Sequence, residues 1–113
     1  MIKLKCKGEE LMKISTEYRR GILFIRPLGR IDDNEFLNKV NEIIDWFGIK
    51  YIVLNISNLD YISLSSIKYI TNYNNEILKK KKHLLICDSR LRMNRLFNII
   101  PNISNELEAF SLI

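Results

Sequence analysis

Histidine occurs once in the 113 residues, cysteine twice and glycine four times. The lone His83 opens an apolar stretch, where an unpaired imidazole is a structural residue rather than half of a catalytic pair. Cys87 closes the same stretch, so no separately placed histidine stands ready to take its proton. Neither cysteine has metal-ligand spacing: Cys6 lies in a lysine-rich start and Cys87 ends an apolar run as a buried thiol. Their usage excludes a disulfide framework and fits a reducing cytosol. So few glycines supply neither a GxGxxG nor a P-loop pattern. No apolar run approaches the roughly 20 residues that cross a bilayer. The start, MIKLKCKGEELMKI, has cations but not the apolar core of a secretory signal. The expectation is a cytoplasmic chain that is not an enzyme, with no cofactor, no metal and no membrane insertion.

What the chain does have is apolar content, 47%, enough for one domain with a real core. Its net charge is +5, with the excess in Lys79 to Lys82 and in Arg90, Arg92 and Arg95. The lysine run ends a helix, where cations complement the dipole and stay solvated. No aromatic residue interleaves with these cations in sequence, as a base-stacking platform requires, so direct nucleic-acid binding is not expected. A docking face for an acidic protein fits as well as a plain solvated surface.

The pattern of apolar residues gives the order β-β-α-β-α-β-α-β-α. Lys13 to Tyr18 and Gly21 to Leu28 read as strands joined by a tight turn at Arg19-Arg20-Gly21. Asp32 caps a helix, with Glu35 in capping-box position. Phe36, Leu37, Val40, Ile43, Ile44 and Phe47 form one wide apolar stripe, and Gly48 ends it. Lys50 to Ile56 is a strand buried on both faces. Leu64 to Lys80 is a second helix with Ile67, Ile70, Ile77 and Leu78 inward and Asn72, Asn74 and Asn75 on its polar side. His83 to Cys87 is a further strand. Asp88-Ser89 caps a third helix with Leu91, Leu96, Phe97 and Ile100, which Pro101 stops. Asn102-Ile103 makes a very short strand, and Ser104 caps a last helical segment from Glu106 to Leu112, with Leu107 and Phe110 packing back. Such alternation gives a mixed, mostly parallel sheet of four to five strands with helices packed on it. Residues 13–113 form the single domain. Residues 1–12 read as a flexible leader or a misassigned start: Lys7-Gly8-Glu9-Glu10 is what a purine-rich ribosome-binding string encodes when translated, which makes Met12 the candidate true start.

The richest stretch is Tyr51 to Ile70, YIVLNISNLDYISLSSIKYI. A buried strand leads through a polar elbow, Asn55 to Asp60, into a serine-rich helix start. Helix N-termini present unsatisfied N–H groups and the positive end of the dipole, so this is a place to accept or refuse an anion. The serines lack a base or an elbow glycine, which argues against a nucleophile. Ser63 as N-cap with Ser66 at N3 explains two hydroxyls but not Ser65. The Asp32-Asp33 pair is explained by capping.

These residues resemble the STAS domain, in particular bacterial anti-sigma factor antagonists. Leu28-Gly29-Arg30-Ile31-Asp32 is similar to the family's L-x-G-x-[LIV]-D strand end. Asn55 to Ile62 is similar to its D-[LIV]-S-x-[LV]-x-[FY]-[IM] run, and Ser63-Leu64-Ser65-Ser66-Ile67 falls where the family has D-S-S-G-[LI]. The resemblance spans about residues 13–112. It implies a STAS-like fold, and it implies that Ser65, at the second serine of the motif, is the regulatory phosphorylation site. The motif departs at three positions. Ser63 replaces the acid, Leu64 the first serine and Ser66 the glycine, so that Ser66 would set a side chain against a partner backbone built for none.

The resemblance further implies a partner and a switch. The unphosphorylated surface docks on an anti-sigma factor that is also a serine kinase, and so frees a sigma factor. Phosphate on Ser65 adds a charge of about −1.5 to −2 and removes complementarity without refolding. The implied docking surface is Asp32, Asp33, Asn34, Asp60, Tyr61, Ile62, Ser63, Leu64, Ser65, Ser66 and Ser89. The alternative is a STAS scaffold that is no longer phosphorylated, a subunit of a transport or stress-sensing assembly.

Overall fold

Arg20 and Gly21 both have positive φ, 51° and 83°. This is the mirror-image two-residue turn whose twist matches the strands it joins. It pairs β2 (Leu11–Arg19) with β3 (Ile22–Ile31) antiparallel, from Arg19↔Ile22 to Lys13↔Leu28. The computed structural model of the chain describes residues 2–5, 11–31, 35–90 and 100–112. Beyond the hairpin the sheet is parallel. β3 pairs with β4 (Tyr51–Asn55), β4 with β6 (His83–Cys87) and β6 with β7 (Asn102–Ile103). Two more strands complete it. β1 (Ile2–Lys5), within the stretch expected to be leader, pairs antiparallel with β2 at Ile2↔Ile14, and β5 (Leu59–Ile62) pairs parallel with the end of β3. Six strands therefore lie in the order β1-β2-β3-β4-β6-β7, with β5 beside β3.

α1 (Glu35–Phe47) and α2 (Leu64–Lys79) cover one face. Leu37, Val40 and Ile44 of α1 meet Ile67, Ile70 and Ile77 of α2 over Leu23, Ile25, Ile52 and Leu54. The two helices are also tied by hydroxyls: Tyr69 donates to Asn38 Oδ1 at 2.9 Å and Tyr73 to Asn41 Oδ1 at 3.0 Å. Alternation sends Ile22, Phe24, Val53, Leu85 and Cys87 to the other face. Only a short C-terminal segment packs there among the described residues: a 3₁₀ turn, Glu106–Glu108, and α3, Ala109–Leu112. The Phe110 ring tilts at 56° against Phe24, 5.8 Å away. Arg26 fixes this segment by donating to both oxygens of Glu106, at 2.8 and 2.7 Å, while Asn55 Nδ2 donates to the same carboxylate at 2.8 Å. Burial on this face pushes the Cys87 thiol up to about 11, so it stays protonated at neutral pH.

The Arg26 guanidinium, first of several causes, holds the Glu106 carboxyl below its ordinary 4.5. A carboxylate whose pKa is lower folded than unfolded stabilises fully above the ordinary value, and that contribution fades as pH falls toward the folded value. Glu106→Gln is therefore expected to lower the melting temperature near neutral pH. It should also flatten the acid limb below about pH 4.5 relative to the native chain, read by thermal scans across pH.

Several expectations need correcting. The polar elbow from Asn55 to Asp60 contains the start of β5: Leu59 and Ile62 are buried, and β3 runs on to Ile31 to receive them. With β1 and β5, the sheet has more strands than the four to five expected. Phe47 and Leu78 are exposed, although both fall on apolar stripes. Each lies near the end of its helix, level with the strand starts, where little chain remains to pack over it. Asn74 is buried rather than on the polar side of α2. The last helical segment is capped by Asn105, whose Oδ1 accepts from Glu108 N–H at 3.2 Å, and not by Ser104, whose hydroxyl bonds the Glu108 carboxylate. Glu106 takes the sheet-facing side of this turn, so Leu107 points outward while Phe110 packs back. The expected third helix lies outside the described residues apart from its flanks. There Asp88 Oδ1 accepts from Arg90 N–H at 3.2 Å.

Candidate functional site

The site is built where β5 hands the chain to α2. Gly29 has a φ of 92°, and the pairing of β3 with β5 shifts register between Gly29 and Arg30. A residue other than glycine is strained there, and such irregularities re-aim the side chains that follow. Past the shift Arg30 pairs with Tyr61 and Ile31 with Ile62, and Ser63 N–H extends the ladder by donating to Ile31 O at 3.0 Å. Ser63 is thus held in extended geometry (φ −73°, ψ 155°), while its carbonyl accepts the first helical bond, from Ile67 N–H at 3.0 Å. That is the stance of an N-cap.

Three hydroxyls converge on this cap. Ser63 Oγ accepts from Ser66 N–H at 3.1 Å and donates to Ser66 Oγ at 2.8 Å. A hydroxyl has one proton. With Ser63's proton given to Ser66, the 3.1 Å contact between Ser63 Oγ and Ser65 Oγ is a donation by Ser65. The three serines have different surroundings. Ser66 is fully buried, Ser63 is half-buried and Ser65 is exposed. Ser66 therefore presents no side chain to a partner; it belongs to the support beneath the surface, where its hydroxyl accepts from Ser63. Leu64 stands out at 68% exposed, and Tyr61 and Asp60 are exposed beside it.

A second layer holds the approach to the cap. Asn55 Oδ1 accepts from Ser57 N–H at 3.0 Å, an Asx turn that starts the bend. Ser57 Oγ in turn accepts from Ser89 N–H at 2.9 Å, and Arg90 donates to Leu59 O at 2.8 Å. Ser89, an expected surface residue, thus lies against the 55–58 bend and is exposed. Of the other residues expected to form the docking surface, Asp60, Tyr61, Leu64 and Ser65 share the exposed rim, Ile62 is buried under it, and Asp32, Asp33 and Asn34 lie outside the described residues. One surface residue went unnoticed in sequence. The exposed Arg30 places its guanidinium 4.3 Å from the centre of the Tyr61 ring. Its signal was present, since it sits inside Leu28 to Asp32, but its direction depends on the register shift.

The cap predicts a graded mutational series. Ser63→Ala is expected to cost about 1–2 kcal/mol, because the N3 amide and the buried Ser66 hydroxyl both lose their partner. Ser63→Asp should be nearly neutral, since a carboxylate oxygen accepts from both and suits the helix dipole. Denaturant melts of the two variants check this; equal losses would overturn it.

The arrangement offers an exposed hydroxyl and an apolar knob at a positively polarised helix start, with no base placed to activate a nucleophile among the described residues. Residues 13–105 match the model of the STAS domain. A protein of Paenibacillus polymyxa described as an anti-sigma F factor antagonist is 28% identical over 109 residues, covering 88% of this chain and 93% of that one. The fold is similar to the anti-sigma factor antagonist SpoIIAA in its unphosphorylated form, with a TM-score of 0.71 at 18% identity over 88% of this chain and 96% of that one. It is similar too to an anti-sigma factor antagonist from Mycobacterium paratuberculosis, with a TM-score of 0.72 at 12% identity over 90% and 93%.

Proposed function

The chain belongs to the STAS domain family, and on that premise we propose that it is an anti-sigma factor antagonist switched by phosphorylation of Ser65. The partner is an anti-sigma factor with serine kinase activity in the bacterial cytoplasm. Binding of the unphosphorylated chain occupies that partner and releases the sigma factor it held. The role is recognition rather than catalysis.

The observation that carries this reading is the difference among the three serines. Ser66 is sealed in and Ser63 is committed as the cap, whereas Ser65 is exposed and gives the helix start only one replaceable donation. Ser65 is therefore the hydroxyl that a kinase can reach without dismantling α2. Phosphate there sits at N2, where the dipole favours negative charge, so the domain keeps its shape while its surface changes sign.

The test is incubation with the organism's candidate anti-sigma kinase and ATP, read by intact mass beside a Ser65→Ala variant. One phosphate on the native chain and none on the variant is the expected result. No phosphate, with the kinase active on another antagonist, would overturn the switch. The scaffold reading would then gain, and one feature favours it: Leu64, exposed where the family has a hydroxyl, suits a lasting apolar contact.

A further inference from the structure

The opposite end of the sheet carries a second surface. β3, β4 and β6 begin level with one another, Ile22 beside Tyr51 and Tyr51 beside His83. The connections that feed these starts are therefore neighbours, and His83 N–H donates to Lys50 O at 2.8 Å. They bring together Arg19, Arg20, Lys50 and the run Lys79 to Lys82. Acids of the two helices pair with the lysine run: Lys82 Nζ is 3.1 Å from Asp45 Oδ1, and Lys79 Nζ is 3.4 Å from Glu76 Oε1. Lys50, Lys80 and Lys81 are exposed and have no ion-pair partner among the described residues, while Arg19 and Arg20, also exposed, hold their guanidiniums 5.6 and 5.4 Å from the centre of the Phe110 ring. Arg20 and Lys81 even adopt positive φ, 51° and 61°, which glycine or asparagine adopts with less strain.

The same end carries the most exposed aromatic side chains among the described residues. Trp46 is 84% exposed, Phe47 70% and Tyr18 61%. In sequence the lysine run had no aromatic neighbours; the fold supplies them, because α1 ends where that run enters β6. Between them lies a hollow of about 370 Å³ lined by Thr16, Tyr18, Leu23, Ile43, Phe47 and Ile49. Exposed aromatics rimmed by lysine and arginine are the composition of an interfacial anchor: the rings settle at headgroup depth and the cations meet anionic lipid. Leu23, Ile43 and Ile49 give the hollow an aliphatic floor that suits hydrocarbon, and neither lysine nor arginine lines it, as the backbone-tracking groove of a stacked base requires.

We propose that this end of the molecule is a docking face for an anionic lipid surface, entered by Trp46 and Phe47 and held by the surrounding lysines and arginines. It lies at the far end of β3 from Ser63, so both surfaces can be engaged at once.

Trp46 is the only tryptophan, so its emission reports on this face directly. The test adds the full chain to phosphatidylcholine–phosphatidylglycerol vesicles and to pure phosphatidylcholine vesicles, reading emission and co-sedimentation. The expected result is a blue shift and pelleting with the anionic vesicles alone, weakened by added salt. The double variant Lys80→Glu/Lys81→Glu should partition at least about tenfold more weakly, and Trp46→Ala should pellet less; all three positions are exposed, so folding is spared. Absence of both signals with anionic vesicles would overturn the proposal, as would pelleting unchanged by the charge reversals. A response to single-stranded RNA with none to vesicles would overturn it in favour of a nucleic-acid face.

Discussion

Phe24→Ala is expected to lower stability by about 3–5 kcal/mol, the usual cost of emptying a buried phenylalanine site. For a domain of this length that is a fall of roughly 12–20 °C in melting temperature. Phe24 is 2% exposed at the centre of the face on which, among the described residues, the C-terminal segment packs. Its ring supports Phe110 at 5.8 Å and lies under the Arg26 guanidinium at 5.6 Å, so its removal also loosens the Arg26–Glu106 clamp. Among the described residues the helix-covered face has Ile44, Ile70 and their neighbours to share a loss, whereas the Phe24 cluster is smaller. Phe110→Ala should cost less, since Phe110 is only half-buried. A thermal melt of both variants checks the order; a Phe24→Ala melt within a few degrees of the native chain would contradict the account.

How much of this was legible in sequence follows from where the determinants lie. Elements whose pattern is local were readable. The stripe of α1, the buried run of β4, the hairpin at Arg20-Gly21, the Gly48 stop and the two-residue β7 all rest on periodicity or on single turn residues. β5 was not readable, because Leu59 and Ile62 flank two exposed residues and the strand exists only through its pairing with β3. Leu78 and Phe47 misled for the converse reason. Periodicity assigns a residue to a helix face but says nothing of whether the neighbouring element extends far enough to cover it.

The site divides in the same way. Ser63 as N-cap and Ser66 at N3 followed from spacing alone. That Ser66 is sealed inside did not, since the helix rotation that turns it from solvent is set by the packing of Ile67 and Ile70. Arg30 escaped because a register shift at Gly29 aims it. The cationic, aromatic end escaped because its parts are spread over Tyr18 to Lys82 in sequence and meet only when three parallel strands begin level with one another.

Ser65→Glu should separate binding from stability more sharply than any other change at the site. On the proposed reading it weakens the complex with the anti-sigma factor by roughly a hundredfold or more, since a charge forced into an interface built for a neutral hydroxyl costs several kcal/mol. The same change should leave the melting temperature level or slightly raised. At N2 the carboxylate meets the positive end of the α2 dipole, worth about 0.3–1 kcal/mol. The Ser63 cap meanwhile keeps its bonds to Ser66, which do not involve Ser65. Ser65→Ala forfeits only the single 3.1 Å donation to Ser63 and should bind as the native chain does. Calorimetric titration of the partner with all three chains, beside their melts, decides the matter. Loss of binding together with loss of stability in Ser65→Glu would mean that the helix start had been disrupted rather than its surface altered. Unchanged binding in Ser65→Glu would remove Ser65 from the docking surface, because no partner seated on the rim of Tyr61 and Leu64 could bury the added charge without a penalty.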